Sequence, residues 1–130
     1  MHAMSLDDLE IHYDAELEVW FLRDNAMTEL ELDQLCAVLD FVKRSGLHAP
    51  LIFERTAQSS ISFAALRVLE LRCGELFSAI ACVGEHVATR RTLETIFQIF
   101  ITTIPARVFS SHRDALAWMA WRSQRHEARA

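Results

Sequence analysis

The sequence has little glycine, proline and lysine, and it has no long apolar run. Three glycines and two prolines in 130 residues are too few for a collagen-like or linker-rich chain. No apolar stretch approaches the roughly 18 residues of a membrane-spanning helix. Residues 1–9 carry acids instead of the basic and apolar pattern of a signal peptide. We therefore expect a cytoplasmic protein without an integral membrane segment, folded as a single domain over residues 1–130 with residues 1–6 and 124–130 frayed.

Basic charge is scarce in the first half of the chain and scattered in the second. Residues 1–58 hold 12 acidic and 4 basic side chains, whereas residues 59–130 hold 6 acidic and 9 basic ones. Lys43 is the only lysine. A nucleic-acid-binding surface needs lysine and arginine massed on one face. The charge pattern therefore argues against DNA or RNA as a partner.

Residue types that bind metals or carry catalysis are present but dispersed. Cys36, Cys73 and Cys82 form no CxxC pair, and no two of the six histidines have the four-residue spacing that aims two imidazoles at one ion. The chain also lacks a GxSxG nucleophile motif and a glycine-rich phosphate loop. These patterns predict no metal, no cofactor and no catalytic residue. The cysteines are expected to be buried in apolar surroundings that raise the thiol pKa.

Residues 9–22 alternate apolar and polar side chains, which is the pattern of half-buried β-strands. The first apolar set ends at Tyr13, and a turn near residues 14–15 would lead into a second strand. In that strand Phe21 falls with the apolar set, whereas Trp20 falls with the acids. The sequence thus predicts an N-terminal β-hairpin with an acidic outer face that carries Trp20.

Capping signals and periodicity predict the rest of the fold. Thr28 and Glu31 form a capping box at the start of a first helix, and Gly46 suits its end. A second helix would run from about Ser62 to Arg72, with Gly74 placed to end it. Other predicted segments are strands at residues 51–53, 78–83 and 107–109, a helix over 85–103 stopped by Pro105, and a last helix capped by Ser111. The order, a hairpin followed by α-β-α-β-α-β-α, predicts an α/β fold with a mixed, mostly parallel sheet and about four helices.

The C-terminal stretch 107–119, RVFSSHRDALAWM, gives the chain a family resemblance. Together with the strand 78–84, SAIACVG, it resembles small bacterial proteins of the SpoIIAA-like (STAS/SEC14) fold group. The resemblance implies a βα superhelix without a cofactor. One branch of that group antagonises anti-sigma factors under control of serine phosphorylation, and another binds lipids. The switch serine of the first branch corresponds to the region 58–62, QSSIS, which keeps the serines but not the family's preceding acid or following glycine.

Two sets of polar residues are candidate sites. Ser59, Ser60 and Ser62 precede the second helix, where backbone N–H groups and the helix dipole favour a phosphate, so each is a candidate phospho-acceptor. Serine is also a preferred helix cap, which is the simpler interpretation. Arg90 and Arg91, early in the third helix, are candidates for binding an anion, although they could equally form a solvated helix face.

Two sets of apolar residues complete the candidates. Trp20, Ile99 and Trp121 fall outside the predicted core faces and are candidate interface anchors, which favours a homodimer or a protein partner. The third helix carries a set that would line an apolar pocket or fill the core: Phe97, Phe100, Ile101 and Ile104. The leading hypothesis is a non-enzymatic regulatory or scaffold module that acts through protein contacts. The alternatives are a small hydrophobic-ligand or lipid carrier and, with less support, an unrecognised hydrolase.

Overall fold

The computed structural model of the protein describes residues 2–6, 9–24, 30–55, 61–84, 86–101 and 103–129. Within these residues the strands are β1 (Ala3–Leu6), β2 (Leu9–Asp14), β3 (Val19–Asp24), β4 (Ala49–Arg55), β5 (Phe77–Gly84) and β6 (Ala106–Phe109). The helices are α1 (Leu32–Ser45), α2 (Phe63–Leu76), α3 (Val87–Phe100) and α4 (His112–Arg129). The predicted α/β class and the predicted order of elements are therefore confirmed.

The strands form one mixed sheet in the order β1-β2-β3-β4-β5-β6. Strands β1 to β3 are antiparallel to their neighbours, and β3 to β6 are parallel. Strand β1 is an addition to the prediction, because its backbone pairs with β2 with Met4 opposite Ile11. The expected fraying of residues 1–6 stays a prediction, and Ala3–Leu6 pair with β2 in the sheet. Helix α4 likewise extends through Arg129, into the stretch expected to fray.

Helices cover the parallel strands on both faces. Helices α1, α2 and α3 pack on one face, where they form the larger core with Leu51 and Phe53 of β4. Helix α4 packs on the other face, where Trp118 and Met119 form a smaller core with Ile52. Consecutive apolar residues in β4 are thus explained, because both faces of this strand are buried.

The strands of the hairpin alternate as predicted. However, Trp20 lies on the inward face of its strand, whereas it was predicted on the acidic outer face. The turn spans residues 15–18, and Trp20 is fully buried in the larger core. Its indole Nε1 donates a hydrogen bond of 3.0 Å to the carbonyl oxygen of Leu47, and its ring meets Phe41 edge-on. The prediction of Trp20 as an exposed interface anchor is therefore wrong. The start of β3 is covered on both faces, because Trp20 is buried in the larger core and Val19 in the smaller core, and the alternation does not contain that information.

The helix ends differ from the prediction where tertiary contacts compete with local signals. Helix α1 begins at Leu32, and Glu31 is its N-cap. The Glu31 backbone N–H donates a hydrogen bond of 3.2 Å to the Gln34 side chain. Thr28, the predicted cap, lies outside the described residues. Gly46 ends α1 in the left-handed conformation (φ 74°), as predicted. Helix α2 continues through Gly74, which was predicted to end it. A Cβ atom at Gly74 would lie 3.2 Å from the hydroxyl of Thr103, so this glycine allows close packing instead of a helix stop.

Candidate functional site

The parallel strands β3, β4 and β5 end side by side, at Asp24, Arg55 and Gly84. We call this end of the sheet the carboxyl edge. Helices α2 and α3 follow β4 and β5 along the chain and therefore start from this edge. In open α/β sheets, ligands and partners bind at the carboxyl ends of the strands. The carboxyl edge is therefore the first place to look for a functional site.

A buried ion pair joins the ends of β3 and β4. Arg55 Nη2 lies 3.3 Å from Asp24 Oδ2, and the two side chains are only 4% and 1% exposed. The guanidinium group also lies 5.9 Å from the centre of the Phe53 ring. The opposite charges compensate each other away from solvent, so the pair presents no accessible charge at the carboxyl edge. Its role is to favour one register of β3 against β4. The sequence analysis missed this pair, since it becomes visible only when the two strand ends are placed in register.

The serine candidates have different positions relative to the described structure. Ser62 is the N-cap of α2, and its hydroxyl oxygen accepts a hydrogen bond of 3.1 Å from the Ala65 backbone N–H. The Ser62 N–H donates to the carbonyl of Leu30, which ties the start of α2 to the segment before α1. Ser62 thus has the capping role, and a phosphate on its hydroxyl would replace that cap. Ser59 and Ser60 lie outside the described residues.

The two arginines of α3 do not form a joint anion site. Arg90 is half-buried, and its Nη1 donates a 2.9 Å hydrogen bond to the Gly84 carbonyl, which ties the first turn of α3 to the end of β5. Arg91 is exposed to solvent. The structure therefore places one guanidinium group against the backbone and the other at the surface, and it does not bring them together.

An exposed aromatic pair marks the start of α2. Phe63, the residue after the Ser62 cap, is 68% exposed, and its ring meets the Phe100 ring edge-to-face with 5.8 Å between centroids. Phe100 is half-buried at the end of α3, and its neighbour Ile99 is exposed, as predicted. The sequence analysis named Phe100 and Ile99 for separate reasons and missed Phe63. Its position directly after a serine cap, where a polar residue would serve equally well, is the signal that could have found it.

The remaining α3 candidates belong to the core. Phe97 and Ile101 are buried in the larger core, and Ile104 packs against it. These side chains fill the space between α3 and the sheet. The lipid-carrier alternative requires instead that they line a cavity. The packing therefore disfavours that alternative.

The buried thiols are not activated nucleophiles. Burial raises the pKa of Cys82 to about 12. Burial also raises the pKa of Cys73, and this effect outweighs the hydrogen-bond contact with Thr103, which lowers the same pKa. Cys36 is half-buried. The expectation of raised thiol pKa values is thus confirmed for Cys73 and Cys82.

In the described part of the chain, no three histidine, cysteine or acidic side chains come together in an arrangement able to hold a metal ion. None of its helices combines the length and the apolar character needed to cross a bilayer.

A solved structure has the same architecture. It is the crystal structure of an uncharacterized protein from the DUF3478 family with a SpoIIAA-like fold, from Shewanella loihica PV-4. The two chains superpose with a TM-score of 0.59 at 19% sequence identity, and the match covers 85% of this chain and 91% of the other. The fold is SpoIIAA-like.

The SpoIIAA-like fold confirms the resemblance drawn from the sequence. No protein-family model matches the chain, and no curated protein does. At this level of identity the likeness shows the fold alone, and the Shewanella protein is itself uncharacterized.

Proposed function

We propose that this protein is a non-enzymatic regulatory module that binds a partner protein at its carboxyl edge. One observation carries the proposal, the exposed aromatic pair of Phe63 and Phe100 beside the serine-capped start of α2. An exposed phenylalanine at a rigid helix start is the kind of anchor that concentrates binding energy in protein interfaces.

The geometry suits Phe63 to insertion into a partner. Its backbone is held by the first turn of α2, and its ring is oriented by the edge-to-face contact with Phe100, so little side-chain freedom is lost on binding. Ile99 is exposed on the neighbouring helix and extends the apolar surface. A partner with an apolar pocket and few charges at its centre fits this surface.

Serine phosphorylation would control the same surface. Ser59 and Ser60 precede Phe63 by four and three positions in the sequence, so a phosphate on either adds charge within four residues of Phe63 along the chain. A phosphate carries a charge of about −2 and is strongly hydrated, and at an apolar interface it weakens binding through its desolvation cost. Phosphorylation is therefore proposed to release the partner.

A cytoplasmic location is part of this proposal. All three cysteines are free, and free thiols are the normal state in a reducing compartment.

The test is a crosslinking pull-down from the native host, read by mass spectrometry with phosphosite mapping. The wild-type chain is compared with Phe63→Ala and with Leu71→Ala. Leu71 is a matched control, because it lies on the same helix and is 72% exposed. The proposal expects a partner that is lost with Phe63→Ala, retained with Leu71→Ala, and weakened by Ser60→Asp. A partner retained equally by all variants would place the interface elsewhere.

A further inference from the structure

The face of the sheet that carries α4 is only partly covered. Helix α4 packs on β4, β5 and β6 and covers Val19 at the start of β3, whereas Glu10 and His12 of β2 stay exposed on the same side of the sheet. Two adjoining grooves of about 820 and 410 Å³ run between α4 and the hairpin, and Leu17 and Leu116 line both. We call this combined surface the hairpin groove. It lies on the opposite face of the sheet from the larger core.

The groove has two apolar ridges. One ridge is the turn of the hairpin, where Leu17 is 51% exposed. The other ridge is α4, where Leu116 is half-buried and the small side chains of Ala117 and Ala120 leave the helix open to close approach. Trp121 is a further exposed apolar residue of the same helix. The groove thus offers apolar contacts on both walls.

The hairpin turn holds Leu17 in place. Asp14 Oδ1 accepts hydrogen bonds from the backbone N–H groups of Glu16 and Leu17, at 2.9 and 3.0 Å. Glu18 then adopts a positive φ of 55°, which reverses the chain. Leu17 therefore sits at the surface on a turn ordered by its own backbone contacts, and such preorganisation lowers the entropic cost of binding.

The two walls carry opposite charge. Glu16 and Glu18 lie on the hairpin wall, and Arg122 lies on the α4 wall. Arg122 and Arg107 stack against the ring of Trp118, with guanidinium-to-centroid distances of 5.3 and 5.9 Å. Within the described part of the chain, none of these four charged side chains has an ion-pair partner. The larger groove therefore presents an acidic wall and a basic wall whose charges form no ion pair with any residue that the structure describes.

We propose that the hairpin groove binds a second copy of this chain around a two-fold axis. In such an isologous contact each surface meets its own copy, so the acidic wall of one protomer faces the basic wall of the other. Leu17 of each copy lies against α4 of the other, and Glu16 and Glu18 face Arg122. A stable interface buries about 800 Å² on each partner. That is about a tenth of the 7581 Å² accessible surface of this chain.

The surface differs from the one used in the proposed function. Phe63 and Phe100 pack on the α2 and α3 side, whereas the hairpin groove is on the α4 side. Failure of one proposal therefore leaves the other intact.

The test is the molar mass of the full chain in solution, measured by analytical ultracentrifugation over a range of protein and salt concentrations. Leu17→Glu is compared with Leu71→Glu, which puts the same charge on an exposed leucine of α2, away from the groove. The proposal expects a dimer that Leu17→Glu converts to a folded monomer and that Leu71→Glu leaves intact. Circular dichroism is used to check that both variants are folded.

Charge reversal gives a second, independent readout. A chain with Glu16→Lys and Glu18→Lys, and a chain with Arg122→Glu, are each expected to dimerise more weakly than wild type. Because the mixed dimer restores both acid-to-base contacts, an equimolar mixture is expected to dimerise more strongly than either variant alone. A wild-type chain that is monomeric throughout, a dimer unaffected by Leu17→Glu, or a groove filled by a co-purified small apolar molecule in native mass spectrometry would overturn the proposal.

Discussion

The buried ion pair of Asp24 and Arg55 provides a prediction with a matched internal control. The neighbouring register position of the same two strands holds a second pair, Arg23 and Glu54, with 3.5 Å between Nη2 and Oε2. The buried pair is 1% and 4% exposed, whereas the outer pair is 53% and 24% exposed. The two pairs thus share strands and register and differ mainly in burial.

Removal of the acid from the buried pair is expected to be costly. Asp24→Asn removes the carboxylate charge that lies 3.3 Å from the buried Arg55 guanidinium, and breaking a buried pair in this way costs about 3–5 kcal/mol. A domain of this length has a free energy of unfolding of about 7–20 kcal/mol. The variant therefore loses a large share of its stability. Arg23→Gln breaks the exposed pair and is expected to cost less than about 1 kcal/mol, and that loss shrinks at high salt.

The assay is urea unfolding followed by circular dichroism, with wild type and both variants measured at low and high salt. A double variant, Asp24→Leu with Arg55→Met, replaces both charges by apolar side chains and is expected to recover most of the stability lost in Asp24→Asn. If Asp24→Asn costs no more than Arg23→Gln, burial does not govern the pair and the reasoning fails.

Three further predictions concern single positions. Trp20→Phe removes the indole donor to the Leu47 carbonyl and is expected to lower the free energy of unfolding by about 1–3 kcal/mol in a urea titration; an unchanged value would contradict the buried hydrogen bond. Glu18→Gly relieves a positive φ and is expected to raise the free energy of unfolding by about 0.5 kcal/mol in the same titration; a loss would contradict strain in the turn. Burial raises the pKa of Cys82 from its ordinary value of 9.0 to about 12. As the pH rises, the unfolded state therefore loses this proton before the folded state does. The free energy of unfolding is expected to fall between pH 9 and 12, by at most about 1.4 kcal/mol per pH unit. Cys82→Ala is expected to flatten that slope, and an equal slope in wild type and variant would refute the assignment.

The local signals of the chain predicted its elements well. Apolar runs such as residues 51–53 indicated interior strands, and Gly46 indicated a left-handed helix end, because both signals depend on a few adjacent residues. The cap at Ser62 was predicted for the same reason. Gly74 shows the limit of such signals, since contact with Thr103 gives this glycine a role inside the helix.

The candidate site was less predictable than the elements. Phe63 was missed because its exposure depends on where α3 ends, which brings Phe100 to the start of α2. The pairing of Asp24 with Arg55 required the register of two strands that are separated in sequence by a helix. Contacts of this kind join residues distant along the chain, and a single sequence holds no local signal for them.

The sequence by itself determined the α/β class, the order of elements and the burial of Cys73 and Cys82, because these depend on hydrophobic periodicity and on capping by near neighbours. The tertiary structure alone decided that both faces of β3 are covered at its start, Trp20 by the larger core and Val19 by the smaller one. An alternating pattern indicates that the side chains face opposite ways, but it does not indicate which helices cover each face. The packing of the helices also put three of them on one face of the sheet and α4 on the other. This arrangement left the hairpin groove open between an acidic turn and a basic helix.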